Sequence, residues 1–357
     1  MKFKKILIVK IAAIGDILMT TPAIRALKKT FPDSKIIWLA GSSVKEAIER
    51  NPYVDEIIEI DDRLFFKGTP LEKALTAARL IKRLKKERFD AALVLHRDWK
   101  YGLITRLCGI IERPGLGRSF VSRLLLTDAV SFDAPVHHIY HYLEAAKRIG
   151  AKEDGVQMDF AVRTSVRDKV LKELKAARFK PNKLIGIAPG GARNIKEVMD
   201  SRRWPALKYR ELVSLLAKGG FNVLLLGSKS DKWFLEGWRL PDGVIDLIGR
   251  TTIEETAACM GFCKAVVAND SGPMHLASAL RRPVISIFGP TDPREKYPLS
   301  EGSFYFWKAN EINCAPCYSH GAFPECKTLD CMERVSVEEV YKKVIEIAEG
   351  VLPGGPV

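Results

Sequence analysis

Short apolar runs alternate with helical patterns along this chain, and the alternation stops once and then restarts. KKILIVK (4–10), KIIWLA (35–40), EIIEI (56–60), AALVL (91–95) and a short piece at 113–116 read as strands, with helical patterns at 17–29, 43–50, 70–87 and 99–109. HHIYHYLEAAKRIG (137–150) reads as a long amphipathic helix, and a polar stretch follows. Then KLIGIAP (183–189), FNVLLLG (221–227), KAVVA (264–268) and PVISIFG (283–289) give a second set of strands, with a helix at 204–220. Strands that alternate with helices build parallel sheets covered on both faces, so the expected class is α/β. Two such runs predict two Rossmann-like, doubly wound lobes facing each other across a cleft. The expected limits are residues 1–160 and 183–335, with a linker region at 161–182 and a C-terminal helix and tail at 336–357, able to pack on either lobe. A chain of 357 residues is comfortable for two domains.

Ligands of open α/β sheets bind at the carboxyl ends of the strands, so the strand-to-helix turns carry the functional signal. KIAAIGDILMTTPAIRAL (10–27) follows the first strand but lacks the G-x-G-x-x-G of a dinucleotide site. Gly15 permits a tight turn there. Asp16 is either a helix cap, accepting backbone N–H groups, or a cleft-facing carboxylate placed to take a proton. APGGARNIKEVMDSRRWP (188–205) is a Gly-rich loop with Arg193, Lys196, Arg202 and Arg203 close by. Its glycines, Gly190 among them, let backbone approach a ligand, and its cations suit phosphate; a plain surface loop is the other reading. NDSGPMHLASAL (269–280) ends a strand in Asp270, Ser271 and Gly272 and begins a helix near Pro273. The free N–H groups of that helix form an anion site that Ser271 can cap. His275 in the first turn is either a ligand to the anion or a structural imidazole. GPTDPREKYP (289–298) is an adjacent wall.

Net charge is +14, and it is unevenly spread. Residues 63–126 hold fifteen Lys and Arg against five Asp and Glu. That segment is either a solvated helix face or a field that attracts phosphates and anionic lipid. It has few aromatics, so nucleic acid is not the expected partner. No apolar run reaches the roughly 18 residues of a membrane span. Asp16 interrupts the N-terminal apolar run and no small-residue cleavage site follows, so a signal peptide is not expected and the predicted location is cytoplasmic. Cys314, Cys317, Cys326 and Cys331 read C-x2-C-x8-C-x4-C. They suit structural zinc or, in a heat-adapted protein, a disulfide; a catalytic role is not expected. Cys108, Cys259 and Cys263 read as core or helix cysteines.

Taken together, the segment from Lys5 through Ile36, the Gly-rich loop with RRWP, NDSGPMHLASAL and FGPTDP resemble glycosyltransferase family 9, the ADP-heptose:lipopolysaccharide heptosyltransferases. The likeness covers nearly the whole chain, with the motifs in order. It implies a GT-B fold whose C-terminal lobe holds the donor. It implies transfer of heptose from ADP-L-glycero-β-D-manno-heptose to an inner-core sugar of lipopolysaccharide, with inversion. Asp16 then falls at the family's general base, and Asp270, Ser271, Gly272 and His275 surround the donor sugar and diphosphate. The family's basic residue before W-P, commonly Lys, is Arg202 here, bulkier and forked. Gly190 belongs to the donor loop, and Asp231, in GSKSD (227–231), lies where the family approaches adenosine. Arg97 and Arg118, in HRDWK (96–100) and GLGR (115–118), fall in acceptor-facing loops. The basic segment suits a phosphorylated glycolipid and a peripheral contact with the inner face of the inner membrane. The chain contains no D-x-D pair, and fixed cations meet the charge developing on ADP, so neither metal nor cofactor is invoked. A GT-B transferase or epimerase using another nucleotide sugar is the alternative; a two-lobed solute-binding protein would carry a signal peptide.

Overall fold

The computed structural model describes residues 3–132, 135–177, 179–192, 198–317, 325–326 and 328–350. The chain divides into two compact units, one through Ala161 and one from Val162 onward.

In the first unit the strands are β1 (Lys5–Val9), β2 (Lys35–Gly41), β3 (Glu56–Ile60), β4 (Ala91–Val94), β5 (Pro114–Leu116) and β6 (Asp128–Val130). Its helices are α1 (Ile14–Thr30), α2 (Asp62–Lys67), α3 (Pro70–Glu87), α4 (Trp99–Leu107), α5 (Phe120–Leu125) and α6 (His138–Lys147). The second unit contains α7 (Thr164–Ala176), β7 (Leu184–Ala188), α8 (Ala206–Lys218), β8 (Asn222–Leu225), β9 (Val244–Asp246), α9 (Ile253–Phe262), β10 (Ala265–Asn269), α10 (Gly272–Ala279), β11 (Val284–Phe288), β12 (Phe304–Trp307), α11 (Asp330–Glu333) and α12 (Val337–Ala348).

Both sheets are parallel and share one winding. The first runs β3-β2-β1-β4-β5-β6 and the second, read from its other edge, β9-β8-β7-β10-β11-β12. The central strands are buried throughout, apart from Lys5 at the start of β1, which is why they read as apolar runs. Strand order reverses between β1 and β4 and again between β7 and β10, and each reversal opens a crevice at the carboxyl ends.

α1 is buried around its whole circumference from Ile17 to Leu27, as a helix packed between sheet and helix must be. Pro22 cannot donate to the Leu18 carbonyl; the Thr21 hydroxyl does so instead, at 2.7 Å. Arg25, on the same helix, is buried and donates to Asp154 Oδ2 at 2.8 Å and to the Gln157 carbonyl at 2.7 Å, so the polar stretch after α6 is fastened back onto α1.

Two expectations need correction. The region expected to be a linker contains α7, which packs on α9. Arg163, just before α7, grips the buried Glu254 with Nη2 to Oε2 at 2.7 Å. Only Val170 and Leu174 of α7 are buried, so its helical period is faint in the sequence. Residues 43–50, expected to be a helix, form a 3-10 turn over Ser42–Ala47. The C-terminal helix α12 packs against α8 of the second unit.

Candidate functional site

In the first unit the crevice lies past β1 and β4. α1 begins at Ile14, so Gly15 and Asp16 are within its first turn. Ala13 stands at the cap position with no side-chain bond, and the capping reading of Asp16 is therefore overturned. Its side chain is about one-third exposed and faces Lys10, Tyr142 and His138 among the described residues. Lys10 Nζ lies 3.2 Å from Oδ2, the Tyr142 hydroxyl donates to Oδ1 at 3.4 Å, and His138 Nδ1 is 3.9 Å from Oδ1. Lys10 is buried and also donates to Tyr142 Oη at 3.0 Å and to the Leu95 carbonyl at 3.2 Å. Burial, with the nearby Asp16 charge, holds the Tyr142 hydroxyl far above the ordinary phenol range, so it remains a donor.

Arg97 extends this group. Its guanidinium lies 4.3 Å from the Phe132 ring centre, and Nη2 is 2.8 Å from His138 Nε2. A guanidinium can only donate, so in this contact Nε2 is the acceptor. His96 Nε2 accepts the Ile11 N–H at 2.8 Å and ties the ends of β4 and β1 together. Arg118 is exposed just past β5, next to β4 in the sheet. Lys10, His138 and Tyr142 were missed from sequence: Lys10 reads as the end of a strand, and the other two come from a helix more than 120 residues away.

The second crevice lies past β7 and β10. Asn269 closes β10 and is fully buried with both ends of its amide engaged. Nδ2 donates to the Pro189 and Gly190 carbonyls at 2.9 and 3.1 Å, and Oδ1 accepts Trp204 N–H at 2.9 Å and Tyr209 O–H at 3.0 Å. One side chain thus fixes the Gly-rich loop, RRWP and α8 to the end of the central strand. Asp270 is buried, and Oδ2 receives Arg202 Nη2 at 2.5 Å and Thr291 Oγ1 at 2.7 Å. Burial raises its pKa, but Arg202, Lys296, Thr291 and His275 together outweigh that and hold the carboxyl at about 2. Asp270 Oδ1 and Arg202 Nε are buried without a hydrogen-bond partner among the described residues. Polar atoms in that state are directed at something not yet bound or at water.

Ser271 stands at the cap of α10, yet its hydroxyl donates to the Asn269 carbonyl at 3.2 Å and caps no N–H, contrary to expectation. The helix starts at Gly272, with Pro273 second, and buried His275 is in its first turn. Asp231 is buried and used within the protein: Oδ2 accepts Ser228 N–H at 2.8 Å, and Oδ1 accepts Gly191 N–H at 3.3 Å. Arg203 Nη2 donates to the Gly191 carbonyl at 3.0 Å. A Cβ on Gly190 would lie 2.2 Å from Asp231 Cγ, and one on Gly191, whose φ is +79°, 2.6 Å from Ser271 Cβ. The glycines therefore let the loop pack directly on its own framework. Arg193 and Lys196 lie outside the described residues.

Of the four late cysteines, Cys331 is buried and burial pushes its thiol up to about 11, with Cys317, Cys326 and Cys314 adding. They are free thiols, and among the described residues no group of His, Cys, Asp or Glu is arranged to hold a metal ion. Cys259 and Cys263 are buried, as expected of core residues.

Two Rossmann-like units, each with polar groups at its reversal point, make up a GT-B fold. Residues 77–327 match glycosyltransferase family 9 (heptosyltransferase), and the chain belongs to that family. It is 31% identical over 312 residues to lipooligosaccharide heptosyltransferase 2 of Haemophilus influenzae, covering 83% of this chain and 86% of the relative. Against lipopolysaccharide heptosyltransferase 2 of Escherichia coli K12 it is 26% identical over 316 residues, covering 83% and 86%. Among solved structures, E. coli ADP-heptose lps heptosyltransferase II superposes with a TM-score of 0.74 at 22% identity, over 97% of this chain and 99% of that one. The family 9 glycosyl transferase of Veillonella parvula superposes with a TM-score of 0.78 at 19% identity, over 97% of both chains. E. coli heptosyltransferase WaaC with ADP gives 0.69 at 21% identity, over 96% and 99%.

Proposed function

We propose that this enzyme transfers heptose from ADP-L-glycero-β-D-manno-heptose to an inner-core sugar of lipopolysaccharide in a single inverting displacement. The observation that carries the reading is the Asp16 carboxylate, accessible at the end of β1 and held by Lys10 and Tyr142. Asp16 removes the proton of the acceptor hydroxyl as its oxygen attacks the anomeric carbon, and the bond to the diphosphate breaks. Arg202, Ser271, Gly272 and His275 meet the charge that develops on ADP, with the N–H groups of α10 pointing at the same place. Asp270 holds Arg202 in position, and Asp231, through Gly190 and Gly191, shapes the loop beneath the nucleotide.

Arg97 and Arg118 bind the phosphorylated acceptor, and the enzyme works at the inner face of the inner membrane by peripheral contact. The names of the relatives, and a family structure solved with ADP, support the choice of donor and acceptor.

The test begins with thermal stabilisation by ADP, UDP, GDP and CMP in parallel. ADP alone should raise the melting temperature; a response to UDP or GDP would discard ADP-heptose. Turnover with ADP-heptose and a truncated core acceptor follows, with the product's anomeric configuration read by NMR. Asp16→Asn should lower kcat by about 100-fold or more, and a variant of near-normal rate would remove Asp16 as the base.

A further inference from the structure

We propose that the α4–α5 face of the first unit is a docking surface for a bilayer bearing anionic headgroups. This deepens the membrane contact suggested above and takes nothing from the transfer chemistry.

α4 buries Tyr101, Gly102, Ile104 and Thr105 and leaves Leu107 exposed at its end. Of α5 only Ser122 is buried. Phe120 is 75% exposed, Leu124 57%, and Ile111, in the loop between α4 and β5, 76%. A single exposed leucine has no meaning, but a cluster does, and these side chains are clustered. Arg106 Nη1 donates to the Leu124 carbonyl at 2.9 Å. Arg113 donates through Nε to the Leu125 carbonyl at 3.0 Å and through Nη1 to the Ile111 carbonyl at 2.8 Å. Gly102 has no Cβ, and one built there would lie 3.1 Å from Leu125 Cβ, so the two helices lie close. Arg106 and Arg113 therefore tie the end of α4 and the loop before β5, which carries Ile111, to the end of α5, which carries Leu124.

The charge around them has one dominant sign. Residues 97–123 contain Arg97, Lys100, Arg106, Arg113, Arg118 and Arg123 against Asp98 and Glu112. Exposed apolar side chains among arginines match an interface in which the former enter the acyl boundary and the latter meet lipid phosphates. A second copy of this chain would bring the same cations against themselves, and nucleic acid would leave Phe120 and Ile111 in water. No helix among the described residues is long and apolar enough to cross a membrane, so the contact is peripheral.

The experiment is co-sedimentation of the full chain with vesicles of phosphatidylcholine alone or phosphatidylcholine with phosphatidylglycerol, at low and high salt. Binding to the anionic vesicles only is expected. The triple variant Ile111→Ser, Phe120→Ser, Leu124→Ser should weaken it by about tenfold or more, and Arg123→Gln by about fivefold, with unchanged circular dichroism. Should the triple variant fail to fold, Ile111→Ser alone carries the test from its loop. Absence of binding to anionic vesicles overturns the proposal. So does equal binding by the apolar variants, which would leave only diffuse charge attraction. Self-association abolished by the same substitutions, without vesicle binding, would assign the face to a second copy. Donor and acceptor are absent throughout, so failure here leaves the transferase reading intact, and failure of that reading leaves this one.

Discussion

Arg202 and Asp270 form a buried ion pair, Nη2 to Oδ2 at 2.5 Å, at the point where the second sheet reverses its strand order. Thr291 shares the same carboxylate oxygen, and Lys296 and His275 add positive potential. The pair joins the RRWP segment to the end of β10. Arg202→Ala leaves a buried carboxylate without its main counter-charge, which costs about 3–5 kcal/mol. A denaturant titration that finds the variant within 1 kcal/mol of the parent, on the order of a surface substitution, would contradict this account.

The same pair sets an acid limit. With the Asp270 carboxyl lowered from 3.8 to about 2, the unfolded chain binds more protons between those values. Stability from this group is therefore fully present above about pH 4 and is lost as pH falls through about 2, amounting to roughly 2 kcal/mol. In Arg202→Ala the burial penalty persists without the main attraction, so the acid-unfolding midpoint should move to higher pH. Tryptophan fluorescence against pH reads this directly; an unmoved midpoint would mean that another group controls acid unfolding.

Asn269→Ala removes four hydrogen bonds from a fully buried position and leaves the Trp204 N–H and the Gly190 carbonyl without their partner. The expected destabilisation is about 2–4 kcal/mol. The Gly-rich loop loses its anchor as well, so ADP affinity should fall with stability. Calorimetry on the folded variant separates the two effects: unchanged ADP affinity would show that the loop holds its shape without Asn269.

Much of both sites was legible because the chain marks its crevices with residues that have few other uses after a buried strand. Gly190, Asp270, Ser271 and Asp16 follow apolar runs directly. What escaped reading depends on distance or on length. Tyr142 and His138 approach Asp16 from a helix far along the chain, and no local pattern records that. β6 and β9 have three residues each and β12 has four half-buried ones, too short for alternation to show. Asp16 was ambiguous for a different reason. Cap and third helical position differ by a few residues of helix start, and Ala-Ala-Ile ahead of Gly15 carries no stop signal.

Gly190→Ala tests the packing beneath the loop. The new methyl would lie 2.2 Å from Asp231 Cγ and 2.7 Å from its Cβ, so the loop or the carboxylate has to move. The expected cost is about 1–3 kcal/mol. Asp231→Gly alone also destabilises, because Ser228 and Gly191 lose their acceptor. In the double variant the clash is absent, and the two losses should fall short of their sum by about 1 kcal/mol or more. Strict additivity would mean that the two positions do not press on one another.

Lys10 and Tyr142 act on Asp16 by position. Lys10→Met keeps the length of the side chain and removes its ammonium from Asp16 Oδ2, while Tyr142→Phe removes only the hydroxyl donated to Oδ1. Asp16 is one-third exposed, so water can replace what it loses, but the buried Lys10 ammonium and Tyr142 hydroxyl also bond each other, so each substitution should cost about 1–3 kcal/mol of stability. A carboxylate no longer fixed samples orientations that miss the acceptor hydroxyl, and kcat should fall by about 10- to 100-fold with KM for the donor near its parent value. The Tyr142 hydroxyl is held far above the ordinary phenol range, so its loss should leave the alkaline limb of the pH–rate profile unmoved. A rise in KM alone, or a displaced alkaline limb, would show that these residues meet substrate or exchange protons and do not merely orient Asp16.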